Sequence, residues 1–184
     1  MILENDKIKL RAIEPEDLEY IFKWENDTTI WAVSNTLTPF SRYVVKQYIE
    51  NSHLDIFESK QLRLIIEAKF NGHANKVVGS VDIFDFDPHN QRAGLGILIA
   101  ETKDRGNGFA KEALKLLMDY CFNTLLLNQL YCNIAEDNKI SLNLFKSTGF
   151  SICGKKEKWI RSTSGYKDEF MLQIINKNQF SNFS

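Results

Sequence analysis

The chain has 184 residues, long enough to bury one sizeable core, and 23 Lys and Arg balance 24 Asp and Glu to a net charge of −1. That balance gives no global reason to expect a nucleic acid or an anionic membrane as partner, so any substrate preference has to come from local charges. No apolar run approaches the roughly 20 residues that span a bilayer, and residues 1–6 lack the pattern of a signal peptide, which makes the cytoplasm the expected location.

Residues 7–13 alternate as a first strand, and Glu14-Pro15-Glu16-Asp17 places a proline and acids where a helix begins, with Leu18, Ile21, Phe22 and Glu25 on one face. A second helix starts near Ser41 and carries Val44, Val45, Tyr48 and Ile49 at helical spacing. Residues 62–70 and 77–86 read as an antiparallel strand pair joined by the turn-rich stretch 71–75, and residues 92–100 as a further strand. Ala110, Ala113, Leu114, Leu117, Cys121 and Leu125 form the clearest helical stripe, whose last turn falls near residues 123–127. A strand over 130–134 follows, then a helix capped by Asn138 that runs through Ile140, Leu144 and Phe145 to Gly149. Residues 151–160 and 166–175 close the chain as two strands paired across the turn at 161–165. The order is β α α β β β α β α β β, read as one domain over 1–184 without repeats or linkers. Cys121, Cys132 and Cys153 sit in apolar surroundings, as reduced core thiols would. His53, His73 and His89 lie too far apart in sequence to offer a metal pair at helical spacing, so no metal is expected.

The most informative stretch is Arg105-Gly106-Asn107-Gly108-Phe109-Ala110, which follows an apolar strand and opens the clearest helix. Two glycines let backbone N–H groups approach an anion, and the helix start adds unsatisfied donors and partial positive charge, a seat suited to pyrophosphate. A dinucleotide fingerprint would need Gly or Ala where Lys111 stands, and a P-loop would need a Gly-Lys-Ser/Thr that is absent. Arg105, Gly108 and Ala110 instead fit Arg/Gln-x-x-Gly-x-Gly/Ala, which resembles the pyrophosphate loop of the GNAT family of N-acetyltransferases, proteins that hold acetyl-CoA. The plainer alternative is a turn that caps a helix.

The resemblance covers almost the whole chain and is closest to the branch containing ribosomal-protein N-terminal and spermidine N-acetyltransferases. Three further blocks carry it: residues 79–82 through Arg92-Ala93, Asn138-x-x-Ser141 with Gly149-Phe150, and Gly165-Tyr166-Lys167-Asp168. It implies an α/β (α+β) fold of four helices on a mixed, mostly antiparallel sheet, in which the strands before and after the cofactor helix run parallel and splay. It further implies that Leu98, Ile99 and Ala100 offer backbone groups to the pantetheine arm and that Arg105, Gly106, Asn107, Gly108, Phe109 and Ala110 hold the pyrophosphate. Asn138 would touch the cofactor, cap its helix, or do both, since capping leaves its amide N–H₂ free. Lys111 and Lys146 would meet phosphate or only solvent, and family members are commonly dimers.

Acetyl transfer to an amine needs a neutral nucleophile, and a lysine-like amine of pKa about 10.4 is neutral in about one molecule in 10³ at pH 7, a cost of roughly 4–5 kcal/mol. Relatives often carry a Glu on the strand before the glycine loop and a Tyr seven residues after the Asn; here those positions are Gly94 and Phe145, and neither carries a proton. The resemblance offers Ser141 instead, whose hydroxyl or its water would stand near the thioester sulfur; a Ser bonding its own backbone is the alternative. Glu67, Asp82, Glu136 and Asp137 are the candidate bases, beside a water relay to bulk.

In the fold so implied, the first two helices and the last strand pair form the acceptor cleft. Trp24, Trp31, Phe40 and Tyr43 would wall it from one side and Trp159 and Tyr166 from the other, unless they pack in the core. Residues 28–47 contain no acid, which counts against a polyamine, whose several ammonium groups need anionic partners. Glu25, Asp27, Asp85 and Asp168 could still receive one ammonium group. The expected substrate-binding set is Glu25, Trp31 and Tyr166, and the acceptor is a primary amine: a small amine, a diamine or polyamine, or a peptide N-terminus, with the small amine and the peptide N-terminus favoured. The resemblance adds a homodimer as the expected assembly. A module that binds coenzyme A without catalysis is the competing reading, favoured by Gly94 and Phe145.

Overall fold

The computed structural model describes residues 3–34, 36–70, 74–163 and 165–177. The elements follow the expected order. Strand β1 (Ile8–Arg11) leads through a 3-10 turn at Pro15–Asp17 into α1 (Leu18–Glu25), α2 (Thr28–Ser34), α3 (Arg42–Glu50) and α4 (Ile56–Ser59). Then come β2 (Leu62–Ala68), β3 (Lys76–Asp87), β4 (Arg92–Ile99), α5 (Phe109–Asn123), β5 (Gln129–Ala135), α6 (Lys139–Ser147), β6 (Ser151–Ser162) and β7 (Gly165–Ile175). The turn expected at 71–75 falls partly on residues outside those described, as does Ser164 in the last hairpin.

Helices α2 and α4 are additions to the expected four. The stretch Thr28-Thr29-Ile30-Trp31 is poor in intrinsic helix formers, and the turn is held by the Asp27 carboxylate, which accepts the Thr29 N–H at 2.9 Å. Four-residue α4 is too short to show a helical period, but Asp55 caps it, accepting from the N–H groups of Phe57 and Glu58.

Among the described residues the strands form one sheet in the order β1-β2-β3-β4-β5-β7-β6, antiparallel except for the pair β4 and β5. One face packs against α5 and α6 through a core that includes Leu64, Val81, Leu95, Leu114, Leu117, Leu130 and Phe145. The other face packs against α1 and α3 through Ile13, Ile21, Trp24, Val45, Ile49 and Ile65. Each fully buried aliphatic side chain in these layers contributes roughly 2 kcal/mol, and the stripe read from residues 110–121 faces the first of them. Trp24, expected as a cleft wall, instead belongs mainly to the second core at 6% exposure. Cys121 and Cys132 are buried, and burial pushes both thiols up to about 12. Cys153 departs from the expectation of a core thiol, because it lies on the exposed outer strand β6.

A buried ionic bracket fixes the entry to α1. Arg11 gives two hydrogen bonds to Asp17, at 2.6 and 2.8 Å, and a third to Glu67 at 2.6 Å. Burial would raise the Asp17 carboxyl, but the Arg11 contacts and the Glu14 N–H outweigh it and hold the group below its ordinary range. The bracket ties β1, β2 and the helix start together, so the α1–α3 layer sits at one place on the sheet.

The feature that positions the site is how little β4 and β5 pair. Their register runs through Arg92–Gln129, Ala93–Leu130 and Gly94–Tyr131 and stops there. Beyond it β4 stays bonded to β3, while β5 follows β7. On the β3 side the fit is tight: a side chain at Gly79 would place its first carbon 1.9 Å from the Leu98 carbonyl oxygen, beside the bulge between Ile66 and Glu67. Gly79→Ala must therefore push β4 toward the gap. It is expected to cost roughly 3 kcal/mol, read as a lowered urea midpoint; an unchanged midpoint would show that β4 yields freely.

Candidate active site

The end of β4 leads through a 3-10 turn at Thr102–Asp104 into the glycine turn, where Gly106 (φ 80°) and Gly108 (φ 84°) take left-handed conformations. The Asn107 side chain folds the turn by donating to the Asp104 carbonyl at 3.1 Å, and Lys76 anchors it to β3 with 2.6 Å contacts to both oxygens of the buried Asp104 carboxylate. The backbone N–H groups of Gly106, Asn107, Gly108, Phe109, Ala110 and Lys111 donate to no acceptor among the described residues; Glu112 is the first to bond, to the Gly108 carbonyl at 3.1 Å. Such a run of free donors at a helix start is an anion seat. The guanidinium of Arg105 points away from it, donating to the carbonyls of Ile99 at 3.1 Å and Ala100 at 3.3 Å. A cation the sequence did not reveal stands closer: the Lys7 ammonium lies 3.8 Å from where a side chain on Gly108 would begin. Only the tertiary approach of the N-terminal segment to α5, also seen in the Asn5–Glu112 hydrogen bond, brings it there.

The three residues expected to serve a pantetheine arm are not equivalent. Ala100 gives its N–H to Val78 at 3.0 Å, so alternation along the ladder turns Leu98 and Ala100 toward β3 and leaves Ile97 and Ile99 facing the gap. Ile97, absent from the expected set, therefore shares that edge with Ile99. Across the gap Asn138 caps α6, its side-chain oxygen accepting the Ser141 N–H at 3.1 Å. Its amide N–H₂ and the Ser141 hydroxyl have no partner among the described residues, so the expected alternative of a Ser bonded to its own backbone does not hold. The free backbone of the gap, the donor turn and the uncommitted Asn138 amide together fit the arm and phosphates of acetyl-CoA.

Both departures from the usual proton-handling positions have physical causes. The Phe84 ring lies over Gly94, where any side chain would begin 2.2 Å from a ring carbon. Phe145 is buried at 3% exposure, packed edge-on against Phe150 at 5.1 Å.

On the α1–α3 face, α2 brings Trp31 to α1, where its indole N–H donates to the Glu25 carbonyl at 2.8 Å. The Glu25 side chain meets Arg63 of β2 at 2.5 Å, and Arg63 also bonds Asp82 of β3 at 2.6 Å beside Gly96. Burial would lower the Arg63 guanidinium, but Asp82, Tyr48 and Glu25 outweigh that and keep it firmly charged. Tyr166, 65% exposed in the last hairpin, shares no described hydrogen bond or ring contact with Glu25 or Trp31. A polar cavity of about 170 Å³, lined by Lys23, Trp24, Asp27, Ala100, Glu101 and Thr102, joins the α1–α2 corner to the end of β4.

The candidate bases are all engaged. Glu67 pairs with Arg11 at 2.6 Å and Asp82 with Arg63 at 2.6 Å. Asp137 pairs with Lys167, and Glu136 accepts the Asp168 N–H at 3.1 Å.

Comparison with known proteins agrees with this arrangement. A family model described as an acetyltransferase (GNAT) domain matches residues 7–151. The spermidine N(1)-acetyltransferase of Escherichia coli strain K12 is 27% identical over 151 residues, covering 80% of this chain and 75% of that protein. The protein of the same name from Vibrio cholerae is 25% identical over 146 residues, covering 79% and 80%. In fold, the crystal structure of spermidine N-acetyltransferase from Vibrio cholerae in complex with CoA and spermine matches with a TM-score of 0.81 at 23% identity, over 93% of this chain and 96% of that one.

If the free donors at residues 106–111 seat the pyrophosphate, Gly108→Val forces a β-branched residue into a left-handed turn and misaligns them. The acetyl-CoA Kd is expected to rise by roughly 10²-fold, measured by titration calorimetry; an unchanged Kd would remove the turn from the site.

Proposed function

The chain belongs to the GNAT acetyltransferase family, and on that premise we propose an acceptor that presents a single ammonium group, either a small monoamine or a peptide α-amine. As an N-acetyltransferase it moves the acetyl group of acetyl-CoA to an amine directly, within a complex that holds both. When bound, acetyl-CoA supplies that group as an activated thioester. The chain's own residues do the rest. The donors at residues 106–111 and the Lys7 ammonium hold the phosphates, and the Ile97 and Ile99 edge orients the arm. The Asn138 amide completes the opposite wall.

The observation that carries the acceptor class is Arg63 between Glu25 and Asp82. Two carboxylates and one guanidinium leave one net negative charge, enough for one ammonium group. The absence of acids from residues 28–47 leaves the outer cleft without partners for a second or third. Trp31, held by the Glu25 carbonyl, supplies an apolar wall beside that charge, and Tyr166 closes the cleft from the opposite hairpin. Ser141 extends its free hydroxyl from the first turn of α6, where it donates to the departing sulfur and stabilises the charge that develops there. The competing reading, a silent module that only binds coenzyme A, has no support from the comparisons.

The test is thiol release from acetyl-CoA with benzylamine, an alanyl peptide, putrescine, spermidine and kanamycin as acceptors. Benzylamine or the alanyl peptide is expected to exceed spermidine in kcat/KM by at least about tenfold, the worth of one unpaired charge near a protein surface; preference for spermidine would overturn the acceptor class. In the same assay Ser141→Ala should lower kcat by about tenfold with KM for acetyl-CoA unchanged, and an unaltered kcat would leave the hydroxyl without a role.

A further inference from the structure

We infer that Asp85, held by Tyr131, is the proton acceptor that replaces the missing strand glutamate. The inference rests on the reading of the chain as an amine acetyltransferase and adds the group that makes the amine reactive.

Tyr131 is the last residue of β5 to pair with β4, opposite Gly94, and so marks the closed end of the gap. An arm that enters from the glycine turn at the open end runs toward this point. Gly94 carries no side chain here, the Phe84 ring covers it, and the Tyr131 ring packs edge-on to Phe84 at 6.0 Å. The Tyr131 hydroxyl donates to the Asp85 carboxylate at 2.9 Å. Asp85 is brought to this face by an irregularity in β3: the register shifts between Phe84 and Asp87, and Asp85 takes a left-handed conformation with φ 48°. A phenol and a carboxylate from the two flanking strands thus meet beside the Phe84 ring that covers Gly94.

The partners of Asp85 set it apart from the other acids near the gap. Glu67 and Asp82 are each bonded to an arginine, Asp137 to a lysine, and Glu136 to the backbone N–H of Asp168. Asp85 faces a neutral hydroxyl. Burial, the Asp85 hydrogen bond and its charge together push the Tyr131 phenol up to about 12, so it stays a donor throughout the working range; Arg92 opposes that shift but is itself paired with Asp87 at 3.2 Å. Asp85 is exposed, so its proton can return to solvent after each turnover.

In the step so assigned, the acceptor ammonium gives one proton to the Asp85 carboxylate, directly or through one water, and the freed nitrogen lone pair forms the bond to the acetyl carbon. As the carbon–sulfur bond breaks, the second nitrogen proton passes to the departing sulfur, giving amide and thiol. Asp85 then releases its proton to bulk water. No second acid is required, which agrees with Phe145 standing where relatives carry a tyrosine.

Asp85→Asn is the informative substitution, because Asn tolerates a left-handed backbone as Asp does. Rates are taken with acetyl-CoA and benzylamine or the alanyl peptide, whichever the wild type acetylates faster, from pH 6 to 10. The wild type should show a kcat/KM nearly flat between the base and the amine pKa. Asp85→Asn should be slower by roughly 10²-fold at pH 7, recover about tenfold per pH unit as free amine accumulates, and keep its acetyl-CoA Kd. Tyr131→Phe, which removes only the positioning hydroxyl, should lower kcat by about tenfold while the profile stays flat. An Asp85→Asn rate equal to wild type at pH 7, or a fall that is uniform across pH, would overturn the assignment. The wild-type rate in the same series stands or fails independently, so its absence would speak to the acetyltransferase reading and an unaltered variant to Asp85.

Discussion

From Leu95 to Ile99 on β4 and from Cys132 to Ala135 on β5, two parallel strands share a sheet without bonding to each other. An unpaired backbone group removed from water costs about 1–3 kcal/mol, so a gap of this kind is held open only by what binds the strands elsewhere. The full ladders of β4 with β3 and of β5 with β7 do so, together with α5, whose buried Ala113, Leu114, Leu117 and Cys121 lie against the sheet and keep the glycine turn at the open end. The gap and the turn are thus one device. The strands supply an edge of backbone groups, and the helix start supplies a row of donors.

The acceptor side follows a different logic, in which charges are neutralised before any substrate arrives. Arg11 takes up Asp17 and Glu67, and Arg63 takes up Glu25 and Asp82. Removing either arginine would leave two carboxylates facing one another in a partly buried setting, so each bracket also sets how much charge the face can offer a cation. What remains at the closed end is Asp85, joined to a phenol rather than to a cation. The fold therefore separates the carboxylates held by arginine from Asp85, which is held by a phenol.

Much of this was legible in the sequence because it rests on local rules. The stripe from Ala110 to Cys121 is a period that only a helix satisfies, and Gly108, Asn138 and Gly149 are punctuation with direct backbone reasons. Parallel pairing with an early splay came with the family resemblance, and the register of β4 and β5 bears it out. What escaped was tertiary. Helix α2 depends on Asp27 against a poor local propensity, and Cys153 looks like a core residue until β6 is placed at the edge of the sheet. The parity that turns Ile97 and Ile99, but not Leu98 and Ala100, toward the gap is fixed by the ladder with β3. Lys7 beside Gly108, the Arg63 bridge and the crossing of Tyr131 to Asp85 join residues far apart in sequence, and no local pattern announces them.

The central claim is that the gap and the glycine turn together seat acetyl-CoA. Its most direct test is residue-resolved amide hydrogen exchange with and without coenzyme A. The account predicts new protection at the amides of Ile97, Ile99 and residues 106–111, with the β3-bonded amides of Leu98 and Ala100 unchanged. Protection confined to other surfaces, or none at saturating coenzyme A, would contradict it.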